Sequence, residues 1–305
     1  MNASAEVIIK AIIDTDPGTD DAIALMMALN STSVDVLAVT TLGGNATLAD
    51  TTRNTLHLIE YLGHRLSVYR GASRPLQGKF CYGYDFHGAA GLGVHLPTPT
   101  SKPHQMPAPE LIVKLASKYP GELAIIALGP LTNIATALAI EPRLLRWIKK
   151  LVVMGGALQT RGNITPYAEF NIYNDPVAAD EVLSSQIPIT LVPLDVCTQT
   201  IVSRADLPWV TGVSRSSRLT HRILRNWFKR TTRDWYDLCD PLALVAAIKP
   251  EILWYKQADV NVVTDKGDEL GRTIAHYGHG SVKTALGVDE KRAKKLMVSL
   301  LEEGR

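Results

Sequence analysis

Cysteine is scarce in this chain: there are three, Cys81, Cys197 and Cys239, an odd number set far apart. That excludes a disulfide framework and a CxxC metal site, and it suits a reducing cytoplasm. An excess of charge of one sign is also missing. Lys and Arg number 32 against 30 Asp and Glu, a formal net charge of +2, so no nucleic-acid or anionic-membrane partner is expected. No run reaches the roughly 18 apolar residues of a membrane span. The opening, MNASAEVIIKAIIDTDPG, passes from a short apolar run straight into acids and reads as a first strand rather than a secretory leader. There is no GxxxxGK[ST] and no GxSxG, which leaves P-loop and serine-hydrolase chemistry without support. No EF-hand loop, internal repeat or low-complexity tail is present either.

What is there is an ordinary globular composition, 46% hydrophobic and 20% charged over 305 residues, enough for a substantial core. Strand-like and helix-like segments alternate. Residues 7–13, 34–41, 122–128, 149–154 and 187–194 read as strands, and 20–30, 47–62, 131–140 and 174–184 carry helical spacing. Such alternation predicts an α/β fold with a mostly parallel sheet covered by helices, binding its ligand beyond the carboxyl ends of the strands. Residues 71–107 are different: rich in Gly and Pro, they form a long loop of the functional kind, with Tyr82, Tyr84, Phe86 and His87 within it. The basic stretch 214–234 reads as a solvated helix face.

Residues 14–21 read DTDPGTDD. Asp14, Asp16, Asp20 and Asp21 thus crowd a predicted strand-to-helix turn. Asp14 and Asp16 share strand parity, Pro17-Gly18 supplies the turn, and Thr19 is placed to cap the next helix with Asp20 and Asp21 in its first turn. Capping accounts for one or two of these acids, not four. A hard divalent cation relieves their repulsion, and oxygen-only ligands favour Ca²⁺ or Mg²⁺ over zinc.

DTDPGTDDAIAL resembles the N-terminal signature of the inosine-uridine-preferring nucleoside hydrolase family. Further segments follow in that family's order: Gly43-Gly44-Asn45, Asp85-Phe86-His87-Gly88, the run Ala127–Ala135, Met154-Gly155-Gly156, Gly162–Pro166, Ala168–Ile172 and Cys239-Asp240-Pro241. The resemblance implies one domain over residues 1–305, an open and mostly parallel sheet flanked by helices with a Rossmann-like core, and a homodimer or homotetramer. It also implies Ca²⁺ as cofactor, held by Asp16, Asp21, the backbone carbonyl of Leu128 and Asp240. Asp20, Asn163, Glu169 and Asn171 match ribose-binding groups, and Asn45 matches a pocket asparagine. Asp14 supports the site from behind. Read singly, Asn163 and Asn171 are also ordinary turn residues, and Glu169 an ordinary surface acid.

The implied reaction is hydrolysis of a ribonucleoside to free base and ribose. Its transition state carries oxocarbenium character on the sugar. Asp16 is the candidate base for the attacking water, because Ca²⁺ acidifies water less than zinc does. The position before the last aspartate, often a histidine that protonates the leaving base, is Cys239 here. A thiol near its ordinary pKa of about 8.5 is one donor. His87 is another candidate at the base, and Trp235, Tyr236, Tyr82 and Tyr84 are candidates to stack on it. Two rivals remain. A nucleoside phosphorylase needs an anion site beside the sugar, and a nucleoside- or ribose-binding protein without turnover is compatible with Cys239.

Overall fold

The computed structural model describes residues 8–210 and 212–303; the first residue of the expected strand 7–13 and the segment before it lie outside the described residues. In chain order the strands are β1 (Ile9–Thr15), β2 (Val34–Thr41), β3 (Val68–Arg70), β4 (Leu123–Ala127), β5 (Ile148–Met154), β6 (Ile189–Val192), β7 (Ile201–Ser203), β8 (Trp235–Asp237), β9 (Leu253–Val262), β10 (Thr273–Tyr277) and β11 (Val282–Val288). The helices are α1 (Thr19–Asn30), α2 (Leu48–Tyr61), α3 (Tyr84–His87), α4 (Ala108–Lys118), α5 (Thr132–Ile140), α6 (Leu144–Trp147), α7 (Phe170–Asn174), α8 (Pro176–Leu183), α9 (Leu194–Cys197), α10 (Arg215–Arg230), α11 (Cys239–Ile248) and α12 (Glu290–Glu302).

Nine strands form one sheet in the order β10-β9-β11-β6-β5-β4-β1-β2-β3. Pairing is parallel from β11 to β3, and β9 runs antiparallel to both its neighbours. The fold is therefore α/β with a mostly parallel central sheet flanked by helices, as expected. Strand parity sorts the core onto its two faces. Ile12, Ile125 and Val153 join one apolar cluster with Ile112, Ile134 and Val182 of α4, α5 and α8. Ile13, Ile126 and Val152 join the other with residues of α1, α10, α11 and α12. Strands covered on both faces read as continuous apolar runs, which is why β1, β4 and β5 are so plain in the sequence.

The chain leaves β1 for β2 and β3 on one side, then returns to pair β4 on the other. Loops leaving β1 and β4 therefore diverge and leave a crevice at the carboxyl ends of the strands. Asp14, second to last in β1, sits opposite Thr40 of β2 and Ala127 of β4, with strands on both sides of it. Everything that follows β1, β2, β4, β5 and β6 in sequence opens onto this one rim.

Several local expectations are corrected. Thr19 does not cap α1. Gly18 is the cap residue, Thr19 is already helical, and its N–H donates to His87 Nδ1 at 3.0 Å. Asp21 closes the turn instead, accepting the Gly18 N–H at 3.0 Å. The helix expected over 174–184 is α8, which starts two residues later at Pro176, because Asn174 still ends a first, shorter helix, α7. Asp175 caps the second by accepting the Ala178 N–H at 3.1 Å, and Pro176 opens it. The strand expected over 187–194 ends at Val192, and Pro193 starts α9. The long loop is pinned by specific bonds: Asn54 Nδ2 donates to the Ala90 carbonyl (2.7 Å), and the Cys81 N–H donates to Asn174 Oδ1 (2.7 Å). The basic stretch 214–234 is α10 in its larger part, with Leu219, Ile223, Leu224, Trp227 and Phe228 inward and Arg218, Arg225 and Lys229 exposed.

Candidate active site

Asp14 is fully buried, and Thr40 Oγ1 (2.5 Å) and Asn133 Nδ2 (2.8 Å) both donate to its Oδ1. Burial nevertheless pushes its pKa up to about 6. Asp16, beyond the end of β1, accepts the Asn45 N–H on Oδ2 at 2.6 Å, while its Oδ1 is buried with no hydrogen-bond partner among the described residues. Gly44 and Gly129 press on it so closely that a Cβ at either position collides with the carboxylate. Asp21 is the best satisfied: Thr15 Oγ1 (2.6 Å), the Gly18 N–H (3.0 Å) and Asn45 Nδ2 (2.9 Å) all donate to it.

Carboxylate oxygens of Asp20, Asp21 and Asp240 come within 4.8 Å of one another. Asp240 arrives from the first turn of α11, where the helix dipole favours an acid. Burial, then the charge of neighbouring carboxylates, holds Asp16 and Asp240 well above the ordinary range, and lifts Asp20 to about 7. Tyr236 Oη donates to Asp20 at 3.0 Å. Asp20, expected on the sugar, joins the expected ligands Asp21 and Asp240 in this tight trio, and Asp16 stands beside it. The donors are all hard oxygens, and an orphaned carboxylate oxygen lies among them, so these residues fit a divalent cation of the Ca²⁺ or Mg²⁺ type. The Leu128 carbonyl accepts from Asn171 Nδ2 at 2.7 Å and keeps a second lone pair for an ion.

Asp20 and Asp240 are in the wall of a cavity of about 570 Å³, a size that takes a nucleoside, while Asp14, Asp16 and Asp21 are buried and do not line it. Asn45, His87, Leu128, Asn163, Glu169, Asn171, Cys239 and Asp240 all line it, as do Asp20 and Tyr82. Glu169 is not the surface acid of the plain reading. It is buried and caps α7, accepting the N–H groups of Gly156 (3.0 Å), Asn171 (2.8 Å) and Ile172 (3.1 Å). Asn163 is exposed, and its Oδ1 accepts the Phe170 N–H at 2.8 Å. His87 accepts on Nδ1, which leaves its proton on Nε2, and burial together with the charge of Arg230 pushes its pKa down to about 3. It therefore enters the site neutral and is a poor acid.

A profile described as "Inosine-uridine preferring nucleoside hydrolase" matches residues 11–295. The chain belongs to that family. It is 39% identical to uridine nucleosidase 1 of Arabidopsis thaliana over 282 residues, covering 88% of this chain and 82% of the relative. Its fold superposes on a plant nucleoside hydrolase with a TM-score of 0.91 at 33% identity, covering 96% of this chain and 98% of the other. A purine-preferring ribonucleoside hydrolase from Gardnerella vaginalis gives a TM-score of 0.89 at 30% identity, again covering 96% and 98%.

In this nucleoside hydrolase, three expected base contacts, Trp235, Tyr236 and Tyr84, do not line the cavity. Trp235 is 43% exposed and does not line it. On the short strand β8, pairing of Tyr236 with Val202 turns Tyr236 inward and Trp235 outward. Tyr84 is turned away too, its Oη donating to Asp50 (3.0 Å) and accepting the Thr47 N–H (3.1 Å). Phe86, Met154, Arg161, Arg233 and Asp237, none of them assigned a role from sequence, do line the cavity. Phe86 is braced edge-on by Trp227, with ring centroids 5.2 Å apart.

Cys239 is in the wall, buried and hydrogen-bonded with Cys197; that bond and burial raise its thiol pKa well above the ordinary value. Such a thiol is a weak proton donor at neutral pH. Cys239→Ser is therefore expected to keep kcat within about tenfold of the parent, whereas loss of a true general acid costs about a hundredfold or more. A steady-state kcat for the variant decides between the two.

Proposed function

We propose that the protein hydrolyses the N-glycosidic bond of ribonucleosides to free base and ribose, with Ca²⁺ as cofactor and Asp16 as the base that takes a proton from the attacking water. Asp21, Asp240 and the Leu128 carbonyl are the ion's ligands in this reading, with Asp20 shared between ion and ribose. The observation that carries it is the carboxylate cluster of Asp20, Asp21 and Asp240, close to Asp16, two of whose members, Asp20 and Asp240, are in the wall of a nucleoside-sized cavity. When bound, the cation supplies a template that aligns water and ribose hydroxyls and offsets the carboxylate repulsion.

The remaining steps belong to side chains of this chain. Asp16 has one oxygen fixed by the Asn45 N–H and the other free to accept a proton. The surrounding carboxylates stabilise positive charge as the sugar becomes oxocarbenium-like. Asn45, Asn163, Glu169 and Asn171 line the wall as ribose contacts. A phosphorylase needs a cationic nest beside the sugar, and the acidity of this wall disfavours it. The three free cysteines suit a reducing cytoplasm, to which we assign the protein. Among the described residues no helix is long and apolar enough to cross a membrane. The homodimer or homotetramer implied by the family resemblance stands as part of this proposal.

The test is ribose release from purified protein in phosphate-free buffer containing Ca²⁺. Release from ribonucleosides without phosphate is expected; binding without release favours the nucleoside-binding alternative. The grip on the sugar adds a sharper expectation. Removing the 2′-hydroxyl leaves buried polar groups unpaired, so 2′-deoxyuridine is expected to fall at least about a hundredfold below uridine in kcat/KM. Equal rates on the two substrates contradict the assignment of the acidic wall to ribose.

A further inference from the structure

Arg233 and Asp237 line the cavity but have no place in the chemistry above. They face each other across the start of β8, with Arg233 Nη2 donating to Asp237 Oδ2 at 3.0 Å. Asp237 Oδ1 is buried and has no hydrogen-bond partner among the described residues. A carboxylate oxygen only accepts, so this atom calls for an N–H or O–H donor, and the residue that carries it is in the cavity wall. Arg233 is held from two further sides. Its backbone N–H donates to Thr231 Oγ1 (3.2 Å), and its guanidinium lies 5.4 Å from the centre of the Trp235 ring. Trp235 thus acts on the cavity from outside, by fixing an arginine within it. The pair is also well located. Asp237 lines the same cavity as Asp20, the sugar-facing acid, and as Cys239, two residues further along the chain.

We propose that Asp237 and Arg233 read the ring edge of the departing base and select uracil through its N3–H. This rests on the ribonucleoside reading of the cavity. Uracil presents an N–H between two carbonyls. Asp237 Oδ1 accepts the N–H, and a free N–H of Arg233 donates to a flanking carbonyl, so donor and acceptor edges are matched at once. Cytosine presents a lone pair at N3 where uracil presents a proton, and a carboxylate oxygen repels it. Phe86 and Tyr82, which line the same cavity, offer the aromatic faces between which a flat ring is held in that register.

The experiment measures kcat/KM for uridine, cytidine and 3-methyluridine with the parent protein and with Asp237→Asn. The parent is expected to favour uridine over both others by about tenfold to a hundredfold. In Asp237→Asn the amide donates to cytosine N3 as readily as it accepts from uracil, so the uridine-to-cytidine ratio falls to within about threefold of one. A pair that only braces β8 lowers all substrates alike and leaves the ratio unchanged; that result, or a parent indifferent to the base, overturns the proposal. If the variant fails to fold by circular dichroism, the parent's discrimination against 3-methyluridine and cytidine decides. If no nucleoside releases ribose, the hydrolase reading fails by itself, and the same ratio is read from calorimetric Kd values for uridine and cytidine.

Discussion

Asp16→Asn is expected to lower kcat by about a thousandfold, the middle of the range for losing a general base, while raising the melting temperature of the metal-free protein. The two effects have one cause. Asn is isosteric and its oxygen can still accept the Asn45 N–H that holds Oδ2 at 2.6 Å. What disappears is a buried negative charge on an atom with no partner, set against Asp21 and Asp20. Removing it takes away the proton acceptor the reaction needs. It also removes a charge whose burial and repulsion oppose folding when no cation is present. Kinetics with saturating Ca²⁺ and a thermal melt in chelator read the two halves separately. A variant that is less stable in chelator yet keeps near-parental kcat shows Asp16 to be a structural group and removes it from the chemistry.

The second large effect couples pH to the metal. Asp14 and Asp20 are lifted to about 6 and about 7, and burial and like charge raise Asp16 and Asp240 as well. In the unfolded chain all four return to about 3.9. The folded state then binds protons more tightly than the unfolded one, so their contribution to stability is fully present below the unfolded value. It is lost as pH rises through the folded values, over a window from about pH 4 to about pH 7 and beyond. In chelator the melting temperature is expected to fall across that window. Ca²⁺ replaces the protons, so its stabilisation grows as pH rises. At a free concentration about a hundredfold above its Kd it is worth about 2.7 kcal/mol, or about 5 °C in Tm. A chelated protein whose melting temperature is flat or rising over this range contradicts the electrostatics drawn for the cluster.

Much of this site is legible in the sequence because it is local. DTDPGTDD sets four acids at a turn marked by Pro17-Gly18, and the apolar runs of β1 and β4 say where that turn must open. The missed parts depend on contacts between distant segments. On a strand as short as β8, parity cannot be fixed until Tyr236 is seen opposite Val202, so Trp235 and Tyr236 are easily exchanged. Cys239 reads as a candidate acid until Cys197, from the end of α9, is found beside it. Glu169 carries no mark of its capping of α7. Residues 253–288 escaped assignment although β9 alternates buried and exposed positions, because charged and polar residues on its open face break up the apolar pattern. Arg233 sits at the end of a basic stretch whose plain reading is a solvated helix face, Asp237 lies just past it, and only the fold puts both in the cavity wall.

The most direct test of the central claim is a titration of metal-stripped protein with Ca²⁺ in phosphate-free buffer, following ribose released from uridine and, in parallel, the heat of Ca²⁺ binding. The account predicts no ribose without metal and activity that rises in step with occupancy of a single site. It also predicts that Asp240→Asn weakens both curves together. Ribose release that persists after stripping, or Ca²⁺ binding that saturates without any release, contradicts the claim that this acidic pocket is a metal-dependent ribonucleoside hydrolase centre.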